Sequence, residues 1–438
     1  MPSEHYRDRY GGEEMSFEYD RPEGLLGAIL AIEGIKDSAT IVNGPTGCKY
    51  YPSSSSESAF PDRGHGTEKY NAFKHFKEFF FSQPRVPCTY LSGDDYVMGS
   101  GDKPDKAYAA VRECGANIIG IINSPGASLI GEQLALKEEK GYVVKMQSPP
   151  MSVSVGSGFQ EAFLKVLGTI SPKKKKNRKG VNLIGMSIWH LGWEDSVSDL
   201  RHLLGLCDIQ VNTVLGAGCS VQEIKDSGAA EMNIMVHRDF GSAAAEWYRD
   251  HLDIPCTGSP MGAPIGFDAL EDWILRVCKA LGKDPSGAVS EIKSKRKRAA
   301  DILSSLFADR RSVRGCTFSA VAGGSLAYPV MTFLYGHLGM LPVAVNTGMD
   351  TSFSAEISRF ISEKGLDVTD DVFNTPADVM IGDGNNIASA VRRNLISGGY
   401  DVARHGLTNV NITERPVLGL GGTMRLLDGV LNILERSV

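Results

Sequence analysis

The residues best suited to chemistry are a cysteine on a glycine-proline turn, Gly44-Pro45-Thr46-Gly47-Cys48, and a second turn that opens at Ser124. The first follows the apolar run Ala39–Val42. The second follows Ile118–Ile122 and continues Pro125-Gly126-Ala127-Ser128-Leu129-Ile130-Gly131-Glu132. Both read as turns at the C-terminal ends of parallel strands, where open α/β sheets place their chemistry. A thiol on such a turn, with Gly44 and Gly47 around it, is positioned to bind a soft metal or an iron–sulfur cluster. Cys219 follows Gly218 at a helix N-terminus, where a dipole lowers a thiol pKa; a small residue at a tight turn explains it as well. Asp94 and Asp95 pair two carboxylates at a position where acids cap a helix or meet a partner.

The elements that must hold these residues follow from the whole chain. Its 438 residues are too many for one core, and roughly two to four domains are expected. Hydrophobic content of 42%, charged content of 22% and a net charge of −6 are those of an ordinary globular protein. Nothing in that balance points to nucleic acid or to an acidic membrane surface. No apolar stretch approaches a membrane span, and Met1 to Met15 is too polar for a secretory signal. Eight scattered cysteines with no CxxC argue against structural zinc and disulfides, so the expected setting is a reducing cytoplasm.

Short apolar runs alternate with helical stretches, the pattern of parallel α/β units. Three Rossmann-like α/β domains are expected, over residues 1–172, 181–290 and 313–438. Strands are expected at Ala39–Val42, Val86–Leu91, Ile118–Ile122 and Tyr142–Met146 in the first. The second carries Val181–Met186, Ile209–Leu215 and Met232–Val236. The third carries Thr317–Val321, Leu341–Val345 and Asp378–Gly382, and ends in the apolar helix Leu426–Leu434. Two basic segments, Pro172–Gly180 and Ile292–Phe307, read as solvated connections between domains. Leu215-Gly216-Ala217-Gly218 leads into Ser220 and Glu223, a capping box. No GxGxxG with a distal acid supports a nicotinamide site.

In order and spacing these motifs resemble the nitrogenase component 1 superfamily, α/β proteins that hold metal clusters. The resemblance rests on Gly27-Ala28 with an apolar helix through Ile35, on Gly44 to Cys48, on Leu91 to Gly99 and on Ser124 to Gln133. Further on, Gly216 to Glu223, Asn233–Val236, Gly258 to Gly262, Pro376 to Gly382 and Gly419 to Gly422 also match, so it spans nearly the whole chain. It implies three Rossmann-like domains packed as one subunit, paired as a homodimer or with a related component 1 chain. It also implies a 4Fe-4S cluster near the pairing interface and electrons from an ATP-dependent iron-protein reductase.

Members with a full cluster site offer three cysteines in the first domain. By that resemblance the first position falls on Glu23, the second on Cys48 and the third near Ser124; Cys88 lies between the two turns as a further thiol. Cys48, with Cys88, then supplies half of a cluster completed by another copy of this chain, or one ligand to a partner holding the rest. The family's cofactor-binding cysteine falls on His237, and no histidine stands near Gly419–Gly422, so the full nitrogenase cofactor is not expected. His237, with Arg238 and Asp239 beside it, suits the protonation of a reduced substrate. The implied function is a nitrogenase-like oxidoreductase component. The alternatives are a non-catalytic scaffold or maturation protein for a metal cluster, and a metal-free ligand-binding α/β protein, which the motif order disfavours.

Overall fold

The computed structural model describes residues 23–49, 86–131, 133–149, 151–309, 313–404 and 413–436. Its framework is three separate sheets, and their strands pair in parallel throughout the described residues. The first sets β1 (Ser38–Asn43), β2 (Ile118–Asn123) and β3 (Tyr142–Met146) side by side in that order. Every residue of β2 is buried, which is why its sequence is a continuous apolar run rather than an alternating one. The second sheet orders β5 (Val211–Val214), β4 (Val181–Ile184), β6 (Met232–Met235) and β7 (Cys256–Thr257). The third orders β11 (Gly398–Asp401), β10 (Val379–Gly382), β8 (Thr317–Val321) and β9 (Leu341–Asn346). The chain is therefore α/β with parallel sheets, as its pattern of runs implies.

Residues 86–91 do not form the expected strand. Only Cys88 bridges to the first sheet, beside Val42. Pro87 has no N–H to donate to a ladder. Two residues after Cys88, Tyr90 takes a left-handed backbone with φ of 55°, which turns the chain away. β11 lies where no strand was expected, because Gly398-Gly399 carries no strand propensity of its own.

The helix Gly24–Glu33 packs along the helix Val155–Ile170 almost backbone to backbone. A Cβ on Gly27 would lie 2.0 Å from the Val155 carbonyl, and one on Gly158 would lie 2.0 Å from that of Gly24. One apolar cluster joins the first sheet to the second through Ile32, Phe159, Ile184, Phe240 and Tyr248. Another joins the second to the third through Leu183, Trp273, Phe318 and Leu426. The basic segments serve local packing. Lys174 and Lys175 pair with Asp253 and Asp226, and Arg296 pairs with Asp268 at 2.7 Å while covering the Phe267 ring.

Candidate functional site

Two centres emerge, one at the end of the first sheet and one where the three sheets meet. At the first, β1 and β2 end on Asn43 and Asn123, whose side chains hydrogen-bond at 2.9 Å. The Thr89 hydroxyl donates to Asn43 at 2.8 Å and accepts from the Gly44 N–H at 3.0 Å, which fixes the start of the turn. Ser124 packs so closely that a Cβ on Gly44 would lie 2.5 Å from its Oγ, so the turn requires glycine there. Gly47 faces open space, and nothing sterically demands glycine at that position.

Cys48 then lies in the helical turn at residues 46–49. Cys88, forty positions on, sits beside it on the residue bridged to Val42. Burial, then the neighbouring Cys88, raises the Cys48 thiol above its ordinary pKa, while a hydrogen bond from the Ser124 hydroxyl lowers it. Burial raises Cys88 too, opposed by the Tyr90 backbone, the Lys49 charge and the Thr46 hydroxyl. Ser124 is fully buried and also caps the short helix Pro125–Leu129 by accepting from Ala127 N–H.

Sequence reasoning missed Lys49, which is only 2% exposed. Its ammonium donates to the Tyr90 hydroxyl at 3.1 Å and lies 4.6 Å from the centre of that ring. The left-handed Tyr90 is thus held by a buried cation. The Lys49 charge also acts on the Cys88 thiol, favouring the thiolate form that binds a soft metal. The donor set is two soft sulfurs with hydroxyl support, which fits half of an iron–sulfur site. Among the described residues no three His, Cys, Asp or Glu side chains converge to hold a metal ion. Cys219 belongs to no centre: burial pushes its thiol up to about 12 despite its place at a helix start.

The second centre is a cavity of about 100 Å³ at the junction of the three sheets, room for a few water molecules or a small reactant. Glu23 lines this cavity, which Cys48, Cys88 and Ser124 do not line. His237, two residues past β6, stands at the start of the helix Arg238–Leu252 and is 2% exposed. Gly185 lets β4 pass beneath it, since a Cβ there would lie 2.2 Å from the His237 carbonyl oxygen. Its Nδ1 hydrogen-bonds the Ser325 hydroxyl at 3.1 Å, while its buried Nε2 has no partner. His190, also missed from sequence, stacks on it with ring centres 4.0 Å apart. The backbone N–H of Ser187 donates to His190 Nδ1 at 3.0 Å, which puts the His190 proton on Nε2.

Both imidazoles stay neutral. Burial pushes His237 down to about 3; burial, then His237 and Arg404, holds His190 well below its ordinary range. The Asp239 carboxyl behaves oppositely. Burial, then the adjacent Asp350 carboxylate, holds it well above the usual carboxylate range, and it hydrogen-bonds both Asp350 and Ser325. Arg238 turns away from the cavity, its guanidinium reaching Glu356 at 3.3 Å and covering the Phe353 ring. The only sequence signal for Ser325 and Asp350 was the Gly323-Gly324 turn, which brings the third sheet's loops to Asp239.

The family model for nitrogenase component 1 type oxidoreductases matches residues 24–435. The chain is 22% identical to the nitrogenase molybdenum-iron protein beta chain of Methanococcus maripaludis, over 93% of this chain and 92% of that one. It is 28% identical to a light-independent protochlorophyllide reductase chain of Heliobacterium modesticaldum, over 58% of this chain and 50% of that one. For the corresponding chain of Cereibacter sphaeroides the identity is 28%, over 34% of this chain and 28% of that one. The chain thus spans half or less of the length of these protochlorophyllide reductase chains. In fold it is similar to a solved structure of nitrogenase Cp1 at pH 6.5, with a TM-score of 0.73 at 16% identity, over 97% of this chain and 94% of that one. With the family model matched from the first described helix to the last, the chain belongs to the nitrogenase component 1 type oxidoreductases.

Proposed function

We propose that the chain is a component of a nitrogenase-like reductase in which Cys48 and Cys88 hold half of an interfacial iron–sulfur cluster, 4Fe-4S in type. A second component 1-type chain completes the ligand set, and an ATP-dependent iron-protein reductase supplies the electrons. When bound, the cluster supplies one-electron storage and transfer. The observation that carries this reading is the meeting of two thiols from distant segments over a buried lysine. Lys49 offsets thiolate charge, and the Thr46 and Ser124 hydroxyls hydrogen-bond the sulfurs. Cys48 and Cys88 share one packed apolar cluster with Val155, Trp189 and Phe240, which line the cavity. Reduction is therefore assigned to the cavity, whose width admits a small molecule or the reacting edge of a larger one.

A scaffold that only stores a cluster has no use for a carboxyl held well above its usual range and a neutral imidazole with one free buried nitrogen around an internal cavity, and these favour catalysis over that alternative. Free thiols at all eight cysteines fit a reducing compartment such as the cytoplasm. The test is anaerobic co-expression with a candidate second chain, followed by iron and acid-labile sulfide analysis and reduction by an iron-protein partner. About four iron atoms per pair of chains are expected, lost in both Cys48→Ala and Cys88→Ala. Iron-free wild-type protein after cluster reconstitution with that second chain present overturns the reading.

A further inference from the structure

We infer that Asp350, Asp239, Ser325 and His237 form a proton wire that delivers a proton from His237 Nε2 to a reactant in the cavity. The inference rests on the reductase reading, since a reactant taking up electrons must also take up protons. Geometry carries it. The four side chains come from three segments: His237 and Asp239 from the start of the helix Arg238–Leu252 that follows β6, Ser325 from the helix Gly324–Phe333, and Asp350 from the loop after β9. They join in one chain of hydrogen bonds, Asp350 to Asp239, Asp239 to Ser325, and Ser325 to His237 Nδ1 at 3.1 Å.

Each link has a reason to be where it is. Gly323 makes room for the Asp239 carboxyl, since a Cβ there would lie 2.6 Å from its Oδ2. Asp350 is anchored by the Gly324 N–H and by Ser352, whose N–H donates at 2.9 Å. The wire ends on the one nitrogen of the buried ring that lacks a partner, on a residue lining the cavity. Stacking on His190 restrains the His237 ring, so Nε2 keeps its aim. The other ionisable side chains lining the cavity are Glu23, His190 and Arg404.

The transfer balances as a concerted shift. The His237 Nε2–H bond breaks as a bond from hydrogen to the reactant forms. The Ser325 hydroxyl, which donates to Asp239 at rest, turns to give its proton to His237 Nδ1, and the acid proton that Asp239 shares with Asp350 moves to Ser325 Oγ. Asp239 is left as a carboxylate beside Asp350, and a proton from water restores the pair. The electrons that reduce the reactant come from the iron-protein reductase, and the wire moves protons only. This route suits the site because burial disfavours the imidazolium form of His237, while burial and the adjacent Asp350 favour the protonated form of Asp239. A ring that cannot be charged still passes a proton by exchanging tautomers.

The test needs no turnover. Infrared spectroscopy at neutral pH should show a carboxylic acid carbonyl band that shifts in D2O and is lost in Asp239→Asn. Nitrogen-15 NMR of the nine histidines should show His237 neutral and exchanging between its two tautomers. Ser325→Ala and Asp239→Asn should collapse that exchange to one tautomer, and Ser325→Thr, which keeps the hydroxyl, should retain it. A single His237 tautomer unaffected by Ser325→Ala, or an ionised Asp239 at neutral pH, overturns the wire. A protein that shows both signatures yet accepts no electrons from an iron-protein reductase keeps the wire and loses the reductase reading.

Discussion

At the scale of single residues, the two centres use burial in opposite ways. At the thiol centre a buried cation favours the thiolate form of Cys88. Lys49→Met keeps the stem packed and removes the charge, so iron retention should fall by about 10–100-fold, the usual effect of losing an outer-sphere partner. Iron titration against a competing chelator, with circular dichroism to confirm the fold, measures it; unchanged retention would show that Lys49 only packs. At the cavity, burial excludes charge from His237. Its pKa falls from 6.5 to about 3 on folding, so between those values the unfolded chain binds the extra proton. Its stabilising contribution is complete above about pH 6.5 and drains as pH falls, by about 1.4 kcal/mol per unit through most of that window. Asp239 has the reverse sign: with a raised folded pKa, its contribution is present below about pH 4 and lost as pH rises through the folded value. Urea unfolding across pH should therefore show His237→Gln flattening the acidic limb and Asp239→Asn the limb above it. Parallel curves for His237→Gln and wild type would show that the ring is not buried neutral.

At the scale of elements, the close pairing of the helices Gly24–Glu33 and Val155–Ile170 delivers Glu23 to the cavity. Gly27 and Gly158 face each other's helix backbone there, whereas Gly168 on the second helix meets nothing within 4 Å. Gly158→Ala should destabilise by about 1–3 kcal/mol through overpacking. Gly168→Ala should be neutral or stabilising by up to about 1 kcal/mol through helix propensity. Equal urea midpoints for the two variants would mean that the helices can part at no cost. This contrast also marks what was legible in the sequence. A continuous apolar run such as Ile118–Ile122 announces a doubly buried strand, and Ser220 with Glu223 announces a helix start that the structure caps in both directions. Which glycine faces a neighbouring backbone depends on a partner far along the chain, so Gly158 and Gly168 look alike in sequence. The same limit hid Lys49, His190 and Asp350, whose roles depend on Tyr90, His237 and Asp239. Residues 86–91 look like a strand by composition, and Pro87 with the left-handed Tyr90 overrides that propensity.

At the scale of the molecule, the second sheet is the hub, sharing one apolar cluster with the first sheet and another with the third. The C-terminal helix Gly419–Arg436 reinforces the second link: the Gly421 N–H donates to Asp199 at 2.9 Å, and Leu426 and Val430 are fully buried in the shared cluster. The thiol centre lies at the end of the first sheet, and apolar side chains near it face outward. Val97 is 83% exposed, Met98 84% and Leu129 88%. They sit on the short helices Asp95–Met98 and Pro125–Leu129, neighbours because Gly126 packs against the Tyr96 ring. Three large side chains so exposed on adjoining helices are the mark of an interaction face, and two thiols are half of what a four-iron cluster needs. On the proposed reading, the docking of a second component 1-type chain over this face would meet both deficits at once. Val97→Asp with Leu129→Asp places two charges at the centre of such an interface and leaves every buried contact alone. Sedimentation of the anaerobic protein should show the wild type paired and the double variant as single chains with an unchanged circular dichroism spectrum. Iron should be lost with the pairing, because one chain cannot retain the cluster. Pairing and iron that both survive the two charges would place the interface elsewhere and sever the link between this apolar face and the thiol centre.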